Sequence, residues 1–388
     1  MRFNPKKSLT TLIFAAILFS GKTVAQEYNP IPVALPSIQI APDARGGGMG
    51  DIGAATMPDV YSQYWNAAKY PFVSSQAGFA VSYTPWLSKL VSDINLVYAS
   101  GYWKFGNDNL NALSASMRYF SLGEINIFDQ GTDYLMAVSP NEFAFDVAYS
   151  RRLSQTFSGA VTLRYIHADY STGDDDTTPG NAFSADISGY NESYLNMGRS
   201  EALLGVGFNI SNIGTKISYD GGNTSMFLPT NLRLGASIGL PLDNKNTVSF
   251  SADLNKLLVP TPQLFEEGET EEEKQKKIDD YNSISPISGI FKSLGDAPGG
   301  FKEELQEIVW SIGAEYTYDN QFSIRTGYYN ENEYKGNRRY FTFGAGFRMR
   351  ALQIDAAYLV STAQSNPLDQ TLRISLGFNI EGLRQLMR

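Results

Sequence analysis

The feature that most constrains this chain is the length over which apolar and polar residues alternate. Leu372, Ile374, Leu376, Phe378 and Ile380 fall on one face of a segment whose other face is Thr371, Arg373, Ser375, Gly377 and Asn379. Phe341, Phe343, Ala345, Phe347 and Met349 oppose Thr342, Gly344, Gly346, Arg348 and Arg350. Leu232, Leu234, Ala236, Ile238 and Leu240 oppose Asn231, Arg233, Gly235, Ser237 and Gly239. The same holds for Val248, Phe250, Ala252 and Leu254 against Thr247, Ser249, Ser251 and Asp253, and for Leu204, Val206, Phe208 and Ile210 against Gly205, Gly207 and Asn209. A period of two is that of a β-strand with unlike faces. A soluble sandwich alternates too, but its strands average about five or six residues. These runs reach about 10–13, the length that crosses a bilayer at a tilt. The 23 Tyr and 23 Phe can furnish two interfacial girdles. The polar face carries Gly, Ser, Arg and Asn, which suits a lumen. The pattern predicts an all-β, antiparallel barrel of the outer-membrane kind.

The connections alternate as well. Short turns are expected near 105–110, 151–155, 241–245, 318–320 and 350–351, and long loops at 122–141, 171–200 and 258–305. Outer-membrane barrels pair short periplasmic turns with long external loops. If a first strand at 77–84 rises from the periplasm, every long loop falls outside. This gives about fourteen strands over 77–380, one of them a short run near 214–219, with both termini periplasmic. Residues 26–76 do not alternate. Ile31 to Pro42 is punctuated by proline and reads as extended, and Asp59 to Ala68 as a short helix. Ahead of a barrel, such a segment would fold into the lumen as a plug. Residues 381–388 form a short periplasmic tail.

Residues 1–25 read as a signal peptide: basic Arg2, Lys6 and Lys7, an apolar stretch Leu9 to Phe19, and a small-residue cleavage site at Thr23-Val24-Ala25. Its removal takes away four basic and no acidic residues, moving the net charge from −9 to −13. A chain this acidic is a poor match for nucleic acid. With no Cys and one His, disulfides, thiolate metal sites and multi-histidine zinc sites are excluded. No cofactor is expected.

The stretch Ala44-Arg45, Gly48-Met49-Gly50, Ala54-Ala55, Asp59 and Asn66-Ala67-Ala68 resembles the N-terminal hatch signature of FadL-like outer-membrane barrels. The likeness is to the PorV (LptO) family of the Bacteroidetes type IX secretion system, and it extends over nearly the whole mature chain. Where the usual hatch has Asn-Pro-Ala, this chain has Asn66-Ala67-Ala68. The resemblance implies a fourteen-stranded barrel in which Arg45, Gly48, Met49, Gly50, Asp59 and Asn66 are structural hatch residues. It also implies a carrier of secreted cargo, recognised through the cargo's C-terminal signal domain. In that family the barrel works beside the SprA (Sov) translocon barrel and with the PorU sortase, PorQ and PorZ, in contact with outer-membrane lipid.

Outside the hatch, the loop 258–305 carries the sharpest signals. Glu266 to Asp280 is a charged helix in which Glu272–Lys276 and Glu273–Lys277 have the favourable i,i+4 order. Ser285 suits an N-cap, Pro286 the first helical position and Gly295 the end. Between them Ile287, Ile290, Phe291 and Leu294 share one face, to be buried over the barrel mouth or against a partner or cargo protein. Asp174-Asp175-Asp176, with Asp169 and Asp186, could chelate calcium or form a solvated acidic loop. His167 lies near the outer end of a rising strand, and no Gly-x-Ser-x-Gly elbow accompanies it. The Gly46–Gly50 run lacks the Lys-Ser/Thr of a phosphate loop and suits close packing. Arg233, Arg348, Arg350 and Arg373 lie on polar faces, to pair with lumen carboxylates or the plug, or to line a conduit. No catalytic residue is expected. The competing functions are a FadL-like channel for hydrophobic molecules and a lipopolysaccharide deacylase.

Overall fold

The structure is a computed structural model. It describes residues 28–382 apart from 89, 90, 92, 129–133, 172–176, 199, 223, 266, 267 and 363–367. The expected signal peptide, most of the 381–388 tail and Asp174-Asp175-Asp176 lie outside the described residues. Among the described residues there are sixteen strands, and fourteen of them close an antiparallel barrel. The barrel strands are β1 (Ala77–Pro85), β2 (Ile94–Phe105), β3 (Asn111–Leu122), β6 (Asn141–Arg152) and β7 (Phe157–Asp169). They continue with β8 (Gly180–Asn196), β9 (Glu201–Gly214), β10 (Asn231–Pro241), β11 (Asn246–Leu257) and β12 (Val309–Tyr318). The last are β13 (Phe322–Asn330), β14 (Arg339–Met349), β15 (Leu352–Ser361) and β16 (Leu372–Asn379). The other two, β4 (Ile125–Phe128) and β5 (Tyr134–Val138), form a hairpin in the loop after β3. Neighbouring strands are consecutive, and β16 returns to β1 with Val81 opposite Leu376.

The faces are reversed relative to a soluble protein, as the alternation requires. Phe79, Val81 and Tyr83 of β1 are exposed while Ser82 and Thr84 are buried. Ser375, Thr342 and Asp355 of the inner wall are fully buried. Aromatic rings gather at both ends of the strands. Trp310, Tyr328 and Phe341 lie together at the long-loop end, at centroid distances of 5.6 and 4.8 Å. Phe322 and Phe347 meet at 4.9 Å at the turn end, and Phe79 and Phe378 at 4.7 Å. The short turns use residues that tolerate a left-handed backbone: Asp319 and Asn320, with φ of 53° and 52°, join β12 to β13.

The number of strands agrees with expectation, but its membership differs in two places. Residues 171–200 are not one loop, because β8 runs through them as the longest strand, seventeen residues. Its inward face is Ala182, Ser184, Asp186, Ser188 and Tyr190, and its lipid face mixes Phe183 and Ile187 with Ala185 and Gly189. That outer face is too weakly apolar to stand out in sequence. Residues 214–219 are not a barrel strand. Beyond Gly214 the chain makes only an isolated bridge, Ile217 to Met226. Ile217 packs instead with Leu35, Ile38 and Leu228 in an apolar cluster. The two differences cancel in the count and leave the long loops at one end.

Candidate functional site

The segment before β1 lies inside the barrel and touches the wall on many sides. It contains 3-10 turns at Pro36–Gln39 and Ala67–Phe72 and two one-turn helices, α1 (Ala44–Gly47) and α2 (Ser62–Trp65). Asp43 caps α1 by accepting from the Gly46 amide at 2.8 Å, and its second oxygen accepts from the Trp65 indole at 2.5 Å. Charge then fixes the segment to the wall. Arg45 donates to Asp59 at 2.5 Å and to Glu315 of β12 at 3.0 Å. Arg325 of β13 bridges Glu315 and Asp355 at 2.5 and 2.7 Å, and the Tyr61 hydroxyl donates to Asp355 at 3.0 Å. Asp51 takes Arg373 of β16 at 2.6 Å. On the strand next to β12, Asp253 of β11 accepts from the Gly53 and Ala54 amides at 2.9 and 3.0 Å. Asn66 donates to Ala54 O at 2.9 Å and to Gly189 O of β8 at 3.0 Å. Ions held this far from water are tolerated only with partners and hydrogen bonds, which this network provides.

Glycines on both sides let backbone meet backbone. Met49 sits against β12 and β13 so closely that a Cβ on Gly327 would lie 2.0 Å from its carbonyl carbon. A Cβ on Gly207 would lie 2.2 Å from the Ala54 carbonyl oxygen. Gly48 lies against Gly344, and Gly50 has a φ of +84° while its amide donates to Thr342 at 2.8 Å. The glycines on the polar faces of the alternating runs are therefore seats for the lumen segment. Sequence periodicity marks them as inward but does not say what they face.

The segment separates two sets of cavities. The outer one, of about 270 Å³, is floored by Tyr64, Trp65 and Asp51 and walled by Arg118, Arg164, Arg233 and Arg338. Two inner ones, about 270 and 350 Å³, open at the turn end around Met57, Pro58 and Arg348 and share no lining residue with the outer. In the outer cavity Arg233 lies over the Trp65 and Tyr64 rings at 4.7 and 5.4 Å and donates to Asn255 at 2.8 Å. Arg164 pairs with Asp146 and Asp186, and Arg338 with Glu331. Of the arginines read as inward-facing, Arg373 pairs with the lumen segment and Arg233 stacks on it. Arg348 reaches Gln353 at 3.1 Å, and Arg350 falls in the β14–β15 turn.

The long loop between β11 and β12 holds three helices: α3 (Glu271–Ser283), α4 (Pro286–Lys292) and α5 (Phe301–Gln306). Thr270 caps α3 in a capping box with Glu273, whose carboxylate accepts from the Thr270 amide at 2.9 Å. Glu273 is thereby engaged, so the expected Glu273–Lys277 pair does not form. Lys277 turns back to Glu269 instead, and Lys274 pairs with Glu271 at 2.7 Å. Ser285 caps α4 and Pro286 opens it, as expected, but the helix ends at Lys292, before Gly295. It packs downward through Gly289, which faces Pro260 and Phe227. Its apolar face is left uncovered. Ile290 is half-buried, and Ile287, Phe291 and Leu294 are 57, 73 and 58% exposed. Burial over the mouth, one of the two alternatives, is not what this face does. Beneath the loop, Asp296 accepts from the Thr261 amide at 3.2 Å. Burial, with the charges of Glu304 and Glu307, pushes its carboxyl up to about 6.

His167 is on the outward face of β7, with Nδ1 2.9 Å from Asn181 Oδ1 of β8. Asp186 is committed to Arg164, and Asp169 accepts from the Ser171 amide at 3.0 Å.

The fold is also that of solved transport barrels. A TodX monoaromatic hydrocarbon channel mutant (ΔS2S3) is 10% identical, covers 87% of this chain and 99% of its own, and gives a TM-score of 0.51. The toluene transporter TbuX of Ralstonia pickettii is 12% identical, covering 88% and 98%, with a TM-score of 0.46. A FadL homologue of Pseudomonas aeruginosa is 11% identical, covering 91% and 99%, with a TM-score of 0.43. At these identities the likeness is one of fold alone. No curated protein matches the sequence. The family model of "Type IX secretion system protein PorV" matches residues 23–264, more than half of the chain and inclusive of the lumen segment and β1 to β11. This chain belongs to the PorV family of type IX secretion system proteins and is a β-barrel of the outer membrane.

Proposed function

We propose that this barrel is a plugged adaptor, without catalysis of its own, that takes secreted proteins at its outer face. Cargo is held through its C-terminal signal domain as it leaves the SprA (Sov) translocon barrel. It is then passed to the surface attachment machinery of the PorU sortase, PorQ and PorZ. The observation that carries the reading is the pairing of a lumen tied shut by ionic contacts with an apolar helix displayed outside. A diffusion channel gains nothing from Ile287, Phe291 and Leu294 facing water, whereas a protein-binding surface needs such anchors. The aromatic and arginine-lined outer cavity adds a polar cup beside them. The test is the proteome of a strain lacking the chain, complemented with the wild type or with a variant lacking residues 284–295. Periplasmic retention of cargo in the deletion strain and in the 284–295 variant, with normal barrel assembly, supports the reading. An unchanged surface proteome with impaired uptake of a hydrophobic solute would replace it with the channel reading.

A further inference from the structure

The short helix α5 has its polarity the wrong way round for a surface in water. Glu303, Glu304 and Glu307, within and just after it, turn inward and are buried. Lys256 meets Glu304 and Glu307 at 2.9 and 2.6 Å, and Lys335 meets Glu303 and Glu307 at 2.5 and 3.1 Å. Phe301 and Leu305, one helical turn apart, are 78 and 53% exposed. A helix between water and a protein core does the opposite.

The place of α5 explains the inversion. Lys256 is on the lipid-facing register of β11, two residues after exposed Leu254, and carries its amine to the carboxylates of α5. The helix is thus clamped to the barrel rim. β12 begins three residues beyond it. Ten residues at about 3.4 Å each, tilted by about 40°, rise about 26 Å, close to the full apolar belt of about 25 Å. The start of β12 therefore marks the outer edge of the belt, where Trp310 joins Tyr328 in the aromatic girdle. Leu305 is five residues from Trp310, at most about 18 Å of chain. The apolar side of α5 continues the lipid-facing surface outward from that girdle. Lys302, exposed beside Phe301, stands at the level of anionic headgroups.

We infer that α5 is an interfacial membrane helix: Phe301 and Leu305 enter the outer leaflet, and the loop that carries α4 is anchored to lipid through them. The occupant is lipid because this face is contiguous with the belt, whereas the face of α4 stands on the far side of Pro260 and Phe227 from the barrel.

The chain has no cysteine, so single labels can be placed cleanly. Spin labels at Phe301→Cys and Leu305→Cys are compared with Ile312→Cys in the belt, and with Phe291→Cys and Asn282→Cys above it. The full-length protein is reconstituted in vesicles of phosphatidylethanolamine with a minority of phosphatidylglycerol. The expected result is that labels at 301, 305 and 312 collide with oxygen and lose collisions with a water-soluble nickel chelate, while those at 291 and 282 keep them. Nickel collisions at 301 and 305 as frequent as at 282 would overturn the inference. Protection at these positions only after a partner barrel is added would overturn it in favour of a protein interface.

Discussion

Replacing Arg45 by alanine tests what keeps the lumen closed. Among the described residues the guanidinium is the one group that joins Asp59 of the lumen segment to Glu315 of the wall, and all three side chains are 7% exposed. Without it Asp59 keeps Ser62 and the Tyr61 amide, and Glu315 keeps Arg325, so neither is stripped bare. Both remain buried with less positive charge than they need. Removing one partner from such a network costs about 3–5 kcal/mol. At about 1.4 kcal/mol per decade, that raises the open fraction of the segment by roughly two to three and a half orders of magnitude. Asp51–Arg373 and the Asp253 contacts still tether it, so it loosens rather than leaves. Hydrogen exchange on residues 43–56 reads this directly. The amides of Gly53 and Ala54 should exchange about a hundredfold faster or more, with β12 and β13 unchanged. Unaltered exchange over 43–56, or equal acceleration in every strand, would refute the argument that this network closes the barrel.

Further outcomes follow from individual residues. Gly207→Val would press a side chain into the Ala54 carbonyl, 2.2 Å from the new Cβ, and should destabilise the seated segment by about 1–3 kcal/mol, seen as lost protection at 53–55 in a barrel that still assembles. Phe291→Glu, on a side chain 73% exposed, should change thermal stability by less than about 0.5 kcal/mol yet weaken partner binding about tenfold or more, measured by titration with the solubilised partner. Asp296 holds its proton to about pH 6 in the folded loop, above the ordinary carboxylate range. The folded form thus binds more protons between about pH 4 and 6. Exchange protection of residues 258–308 should therefore rise as pH falls through 6, and Asp296→Asn should flatten that dependence; the opposite slope would show that burial does not control this carboxyl.

How much could be read from sequence depended on contrast between the two faces of each strand. The runs at 231–240 and 371–380 set large aliphatic residues against Gly, Ser and Arg, and both proved to be barrel strands, β10 and β16. β8 was hidden because Ala185 and Gly189 dilute its lipid face while Ser184, Asp186 and Ser188 resemble loop residues. Residues 214–219 misled for the converse reason: Ile217 is apolar because it packs beneath the outer loops. In the lumen, Arg45 and Asp59 lie close in sequence, and their family resemblance drew attention to both. Their partner Glu315 is 270 positions from Arg45 and becomes visible only once β12 is placed. The helix α4 is the clearest limit. Its apolar face was legible, but which side would face down was decided by Gly289, the one position small enough to approach Pro260 and Phe227. The inverted polarity of α5 likewise depends on Lys256 and Lys335, which no local pattern connects to it.

The central claim is that the working surface lies outside a closed barrel. It is tested most directly by purifying the full-length protein from its own membranes, alongside a variant lacking residues 284–295, and identifying what comes with each. The account predicts that the wild type carries secreted proteins and a larger translocon barrel, and that the variant loses them while both unfold at the same temperature. Equal recovery of those partners with the two proteins, or of neither, would contradict it.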